Sequence, residues 1–176
     1  MTKSSHFAAT TLIGESFAGD GPEAAHLNVV IGRKGGPVEI AWVTALATPR
    51  AGHVPFLVTL RPNLPVKPPT LFVNKADTRG ERHETLTWGP AQAGVAGGVA
   101  RAVAEGLIPA AEADDLLVIA AVWVHPAADD ADAVFANNLA ATVDAIRAAV
   151  EGRPTVDEVV AEAAHPWNAS YHRHRN

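Results

Sequence analysis

Gly19-Asp20-Gly21-Pro22-Glu23-Ala24-Ala25-His26-Leu27-Asn28 runs on into Val29-Val30-Ile31 and stops at Gly32. A glycine-punctuated turn thus delivers a histidine to the head of a branched, apolar run, which is a strand signal. Outward from this strand, over residues 25–31, similar signals recur at 54–60 and 70–75, with a shorter one at 11–17. Residues 116–124 are almost continuously apolar, as expected of a strand buried on both faces. Helical patterns fill the gaps. Residues 38–47 follow Gly36-Pro37, and proline suits a first helical turn. Residues 91–105 end at Gly106, and 132–151 end at Gly152, a C-terminal cap. Residues 155–163 carry Thr155 as N-cap, with Glu158 three positions later. Strands interleaved with helices predict an α/β (α+β) two-layer sandwich with one mixed sheet. The expected organisation is one domain over 1–163 and an irregular, mobile tail over 164–176.

Composition removes several function classes. With 176 residues the chain is long enough to bury a core without staples. It has no cysteine, which rules out disulfides, thiolate nucleophiles and cysteine-based metal sites. Lys and Arg total 14 against 19 Asp and Glu, a balance that opposes nucleic-acid binding. The longest apolar run, 116–124, is too short to span a bilayer, and the N-terminus lacks the apolar core of a signal peptide. The chain is therefore expected to be cytoplasmic, with no membrane partner.

Histidine is the side chain suited to proton exchange near neutrality. Taken alone, His26 reads as a structural histidine at a strand entrance. Its setting changes that reading. Gly32-Arg33-Lys34-Gly35-Gly36-Pro37, Gly52-His53, Pro62-Asn63-Leu64-Pro65, Lys67-Pro68 and Gly89-Pro90-Ala91-Gln92 follow in order. After them come Glu105-Gly106-Leu107-Ile108-Pro109, Ala113-Asp114-Asp115 and Gly152-Arg153-Pro154-Thr155-Val156-Asp157-Glu158. In this order and at these spacings, from Gly14-Glu15 to Val159, the chain resembles the formaldehyde-activating enzymes of one-carbon metabolism.

That resemblance implies condensation of formaldehyde with tetrahydromethanopterin as co-substrate, with no tightly bound cofactor and no metal. It implies a fold like the second domain of ribosomal protein S5, and a homopentameric ring with the pterin between neighbouring subunits. Carried over residue by residue, His26 matches the family's general acid. Leu57 matches an apolar pterin contact, and Lys75 and Gln92 match two further ligand contacts. Glutamine offers a donor and an acceptor to a pterin edge. By residue type Leu57 is expected in the core whether or not it touches ligand.

Two positions depart from the family. Asn28 stands where the family has aspartate, and Asp77 where it has threonine; both are ligand-contacting positions there. Asn28 lacks the charge that would favour a protonated histidine. If the two positions face one pocket, the carboxylate has been relocated to Asp77. Over 76–87 the family's amphipathic helix gives way to Asp77-Thr78-Arg79-Gly80-Glu81-Arg82-His83-Glu84, a poorer helix with glycine in its middle. These changes suggest a paralogue. A second function therefore stands beside the enzyme: a pterin-binding carrier or aldehyde sensor.

Other segments read as structure. The glycines at 32–36 lack the spacing of a phosphate loop. Asp129, Asp130 and Asp132 read as helix-start signals, because the calcium-loop pattern is absent. His165, His172 and His174 read as solvated, and Asn168-Ala169-Ser170 as a chance glycosylation match. No fused second enzyme is expected after the family-like region.

Overall fold

In the computed structural model, which describes residue 7 and residues 11–168, the sheet has five strands in the order β1-β2-β7-β6-β3. These are β1 (Leu12–Ala18), β2 (Ala25–Arg33), β3 (Phe56–Leu57), β6 (Thr70–Asn74) and β7 (Leu116–Trp123), with β4 (Thr59–Arg61) and β5 (Leu64–Pro65) as a separate ribbon. The helices are α1 (Pro37–Ala47), α2 (Glu81–Leu86), α3 (Gln92–Ala104), α4 (Ala131–Glu151) and α5 (Val156–Glu162). Only β6 and β7 run parallel; the other three pairings are antiparallel, so the sheet is mixed as predicted.

The alternation of β2 sets the two faces. Leu27, Val29 and Ile31 are fully buried and share a core with Val95 and Val99 of α3 and Ala141, Ala145 and Ile146 of α4. Burying each leucine, valine or isoleucine among them contributes about 1.5–3 kcal/mol, so this face carries much of the stability. Close approach helps. A β-carbon on Gly14 would fall 1.9 Å from the Ala145 carbonyl oxygen, and one on Gly98 would fall 2.5 Å from Thr142 Cβ. The even-numbered residues His26 and Asn28 project from the opposite face and are only half-buried.

Helix α1 packs on β2 and β7, with Trp42 Nε1–H donating to the Val118 carbonyl at 3.1 Å. It is apolar nearly all round, and Ile40, Val43 and Leu46 are exposed. Helices α4 and α5 begin and end as read from the sequence. Asp130 Oδ1 accepts from the Ala133 N–H, Gly152 takes the left-handed conformation at φ 66°, and Thr155 and Glu158 form a reciprocal capping box.

Two expectations are corrected. The strand over 54–60 is broken. Val58 N–H donates to the Thr70 carbonyl and Val58 O accepts from Val66 N–H, whereas the next donor, Thr59 N–H, goes to Gln92 Oε1 at 2.8 Å. A side chain from α3 thus takes a ladder donor, and the chain turns off the sheet into the β4–β5 ribbon, with Asn63 at φ 65°. Residues 81–86 do form a helix, because Gly80, at φ 84°, sits at its start and not within it. His83 anchors that helix from inside: its Nδ1 accepts from Arg79 N–H and its Nε2 lies 2.9 Å from the Val124 carbonyl. Of the predicted tail, residues 164–168 are described; His172, His174 and the rest of 169–176 lie outside the described residues.

Candidate active site

On the open face of the sheet lies a cleft of about 610 Å³, lined by Glu15, Phe17, His26, Lys75, Trp123, Trp167 and Asn168. Strand register assembles it. Phe17 of β1 and Trp123 of β7 are the direct cross-strand partners of His26, one on each side. The Phe17 and His26 rings lie 6.2 Å apart at 50°. The walls are aromatic and the floor carries charge, the make-up of a site that holds a flat ring and aligns polar groups on it.

His26 Nε2 lies 2.9 Å from Glu15 Oε1, with the two side chains 41% and 57% exposed. At that exposure the pair contributes only ~0–1 kcal/mol to stability, so its geometry matters more than its strength. Lys75 donates from Nζ to Asn28 Oδ1. Burial pushes the Lys75 ammonium below the ordinary lysine value, and the nearby Glu15 carboxylate opposes that shift. His26 and Lys75 thus line one cleft, and Asn28 joins them through Lys75.

The other predicted residues lie elsewhere. Asp77 lines a neighbouring cleft of about 400 Å³ with Arg79, Trp123 and His125, and its Oδ1 is 3.2 Å from His53 Nε2. It is not the carboxylate beside His26, which removes the relocation of charge to Asp77. Leu57 sits on the edge strand β3 and is 36% exposed, so it is not a core residue. Its neighbours in the chain explain this: Phe56 stacks on Phe72 and Val58 is fully buried, leaving Leu57 the outward position. Gln92 heads α3 and holds Thr59 N–H through Oε1, so its acceptor serves the fold. Its amide nitrogen has no protein partner among the described residues.

Among the described residues no group of three or more histidines and carboxylates could hold a metal ion, and no helix is long and apolar enough to cross a membrane. The sequence profile described as "Formaldehyde-activating enzyme (Fae)" matches residues 13–170. The chain belongs to the formaldehyde-activating enzyme family.

Its relatives include the 5,6,7,8-tetrahydromethanopterin hydro-lyase of Methanosarcina barkeri, 46% identical over 160 residues, which are 89% of this chain and 90% of that protein. The bifunctional enzyme Fae/Hps of Methanococcoides burtonii is 44% identical over 172 residues, 91% of this chain and 43% of that protein. The enzyme of the same name from Archaeoglobus fulgidus is 44% identical over 158 residues, covering 88% and 40%. The chain thus spans most of the first relative and less than half of the bifunctional ones.

For a formaldehyde-activating enzyme family member, the cleft includes residues that sequence reasoning passed over. Glu15 and Phe17 lie on β1, and only the β1–β2 register, Glu15 opposite Asn28 and Phe17 opposite His26, brings them to the histidine. Their alternation with Gly14 and Ser16 was the available signal. Trp167 and Asn168 come from the predicted tail and close one wall; no local pattern in the sequence foretells that placement.

Proposed function

We propose that this chain accelerates the condensation of formaldehyde with tetrahydromethanopterin to methylene-tetrahydromethanopterin, as a cytoplasmic hydro-lyase of one-carbon metabolism that removes formaldehyde. One observation carries the reading. His26 occupies an aromatic-walled cleft beside Lys75, in a chain 46% identical to a protein named tetrahydromethanopterin hydro-lyase.

Formaldehyde adds to one amine of the reduced pterin to give a carbinolamine. Hydroxide leaves poorly, so a proton from the His26 imidazolium to the carbinolamine oxygen lets water depart. The second amine then attacks the resulting iminium carbon, and loss of its proton completes the methylene bridge. Proton delivery of this kind is worth ~10²–10⁴-fold in rate. Holding aldehyde and pterin in one cleft adds a proximity term. Lys75 and Asn28 contact the pterin's polar edge, and Phe17, Trp123 and Trp167 flank its ring.

Leu57, Asp77 and Gln92 join the same ligand only if a second subunit brings its β3–α3 region to this cleft, as in a homopentameric ring. Exposed Ile40, Val43, Leu46, Leu57, Leu60 and Leu64 support such packing. Light scattering that finds a monomer removes this part of the reading. Neutral Asn28 favours a second function, a pterin carrier or aldehyde sensor. The condensation rate with and without protein, using tetrahydromethanopterin and then tetrahydrofolate, separates the two. Acceleration supports the enzyme, whereas pterin binding with no acceleration by either pterin leaves the carrier.

A further inference from the structure

We infer that Glu15 is the positioning residue of His26, fixing which imidazole nitrogen carries the mobile proton and supplying the cleft's negative charge in place of position 28. This rests on the proposed role of His26 and names the group that makes that role possible.

Strand register carries the argument. Glu15 lies opposite Asn28, and Phe17 opposite His26, so Glu15 and His26 are diagonal neighbours on one face of an antiparallel pair. Long side chains span that diagonal, and Glu15 Oε1 comes within 2.9 Å of His26 Nε2. An ionised carboxylate so close can only accept, which favours the hydrogen on Nε2. Nδ1 has no protein partner among the described residues and is left to take and give the mobile proton. The Phe17 ring flanks His26 at 6.2 Å from the β1 side, and Trp123 is its register partner on the β7 side, so the ring sits between the Glu15 carboxylate and aromatic neighbours.

Charge makes the same point. Among the described cleft residues Glu15 is the one carboxylate, facing two groups that can be cationic, His26 and Lys75. Asn28 is neutral and occupied with Lys75, and Asp77 is paired with His53 in the neighbouring cleft. An imidazolium formed next to Lys75 therefore has Glu15 as its counter-charge. This explains how asparagine is accommodated at position 28: its carbonyl oxygen still receives the Lys75 ammonium, and Glu15 carries the charge.

The test combines Glu15→Gln, Glu15→Asp, His26→Gln and the double variant Glu15→Gln/His26→Gln, assayed with formaldehyde and tetrahydromethanopterin across pH. Glu15→Gln keeps the shape and removes the charge. It is expected to slow turnover about 10- to 100-fold, a part of the general-acid contribution of ~10²–10⁴. It should also move the limb on which activity is lost with rising pH to lower pH, with KM for the pterin little changed. Glu15→Asp, which keeps the charge on a shorter arm, should restore part of the rate and the position of the limb. In the double variant the rate should equal that of His26→Gln alone, because Glu15 acts through His26.

An unchanged rate and profile in Glu15→Gln, with His26→Gln slow, overturns the role of Glu15 and leaves that of His26 intact. A double variant slowed by the product of the two single effects overturns it as well, since Glu15 would then act independently. Full activity in His26→Gln overturns both readings together.

Discussion

Two histidines in this protein sit beside a carboxylate at nearly the same exposure, yet only one has a ring nitrogen without a protein partner among the described residues. His26 and His53 have side chains 41% and 39% exposed, and Glu15 and Asp77 lie 2.9 Å and 3.2 Å from their Nε2 atoms. The difference is at the other nitrogen. His53 Nδ1 lies 2.9 Å from the Asn74 carbonyl, which can only accept, so both of its nitrogens have a protein partner. His26 lines an aromatic-walled cleft, and its Nδ1 has no protein partner among the described residues. A histidine–carboxylate pair is thus no mark of catalysis by itself, and the role proposed for His26 rests on its second nitrogen.

The comparison breaks most readily at the rate. His26→Gln should slow condensation by ~10²–10⁴-fold with pterin affinity largely retained. His53→Gln should leave the rate within about twofold, as for a substitution away from the chemistry. Steady-state kinetics and equilibrium binding on both variants check this; a large loss of turnover in His53→Gln would erase the distinction.

A third histidine sharpens it from the structural side. His83 is buried, with one nitrogen receiving the Arg79 N–H and the other against the Val124 carbonyl. His83→Leu should lower stability by about 1–3 kcal/mol, through the backbone groups left unpaired, as measured by denaturant unfolding. Any effect on turnover should follow the folded fraction.

How much of this was legible in the sequence depends on the range of the interaction. The Thr155–Glu158 capping box, the Gly152 cap and the head of β2 were read correctly because the deciding residues are neighbours in the chain. The broken strand over 54–60 was not, since Gln92, 33 positions beyond Thr59, takes the donor that would have continued the ladder. His26, Asn28 and Lys75 were legible as a set through the family resemblance. Glu15 was not, because its proximity to His26 exists only in the β1–β2 register. That Asp77 does not sit beside His26 was not legible for a similar reason: its partner His53 is brought to it by folding.

A smaller effect concerns pH. Burial lowers Lys75 from the ordinary lysine value, and Glu15 works against it. The ammonium is therefore lost at a lower pH than the ~10.4 of a free lysine, and the Lys75-dependent share of pterin affinity should decline from there upward. Lys75→Met should abolish that alkaline decline in a binding titration. Stability runs the other way. The unfolded chain holds more protons on this lysine than the folded one, so its unfavourable contribution to folding is present at low pH and relieved as pH rises. The smallest expected effect is on coupling. Within one subunit Asp77 lies apart from the Lys75–Asn28 pair, so the effects of Asn28→Asp and Asp77→Thr on turnover should add to within ~0.3–0.5 kcal/mol unless a neighbouring subunit brings its Asp77 to the cleft. A strong departure from additivity would place both in one site.

The position of Glu15 is set from the side of the sheet it does not face. Gly14, its neighbour, lies so close to α4 that a β-carbon there would meet the Ala145 carbonyl oxygen at 1.9 Å. Strand β1 therefore rests on the helix backbone, and that contact acts as a depth stop for the whole strand. A methyl group added at Gly14 would lift β1 away from α4 and carry Glu15 with it, moving the carboxylate off His26 from beneath the sheet without touching any residue of the cleft.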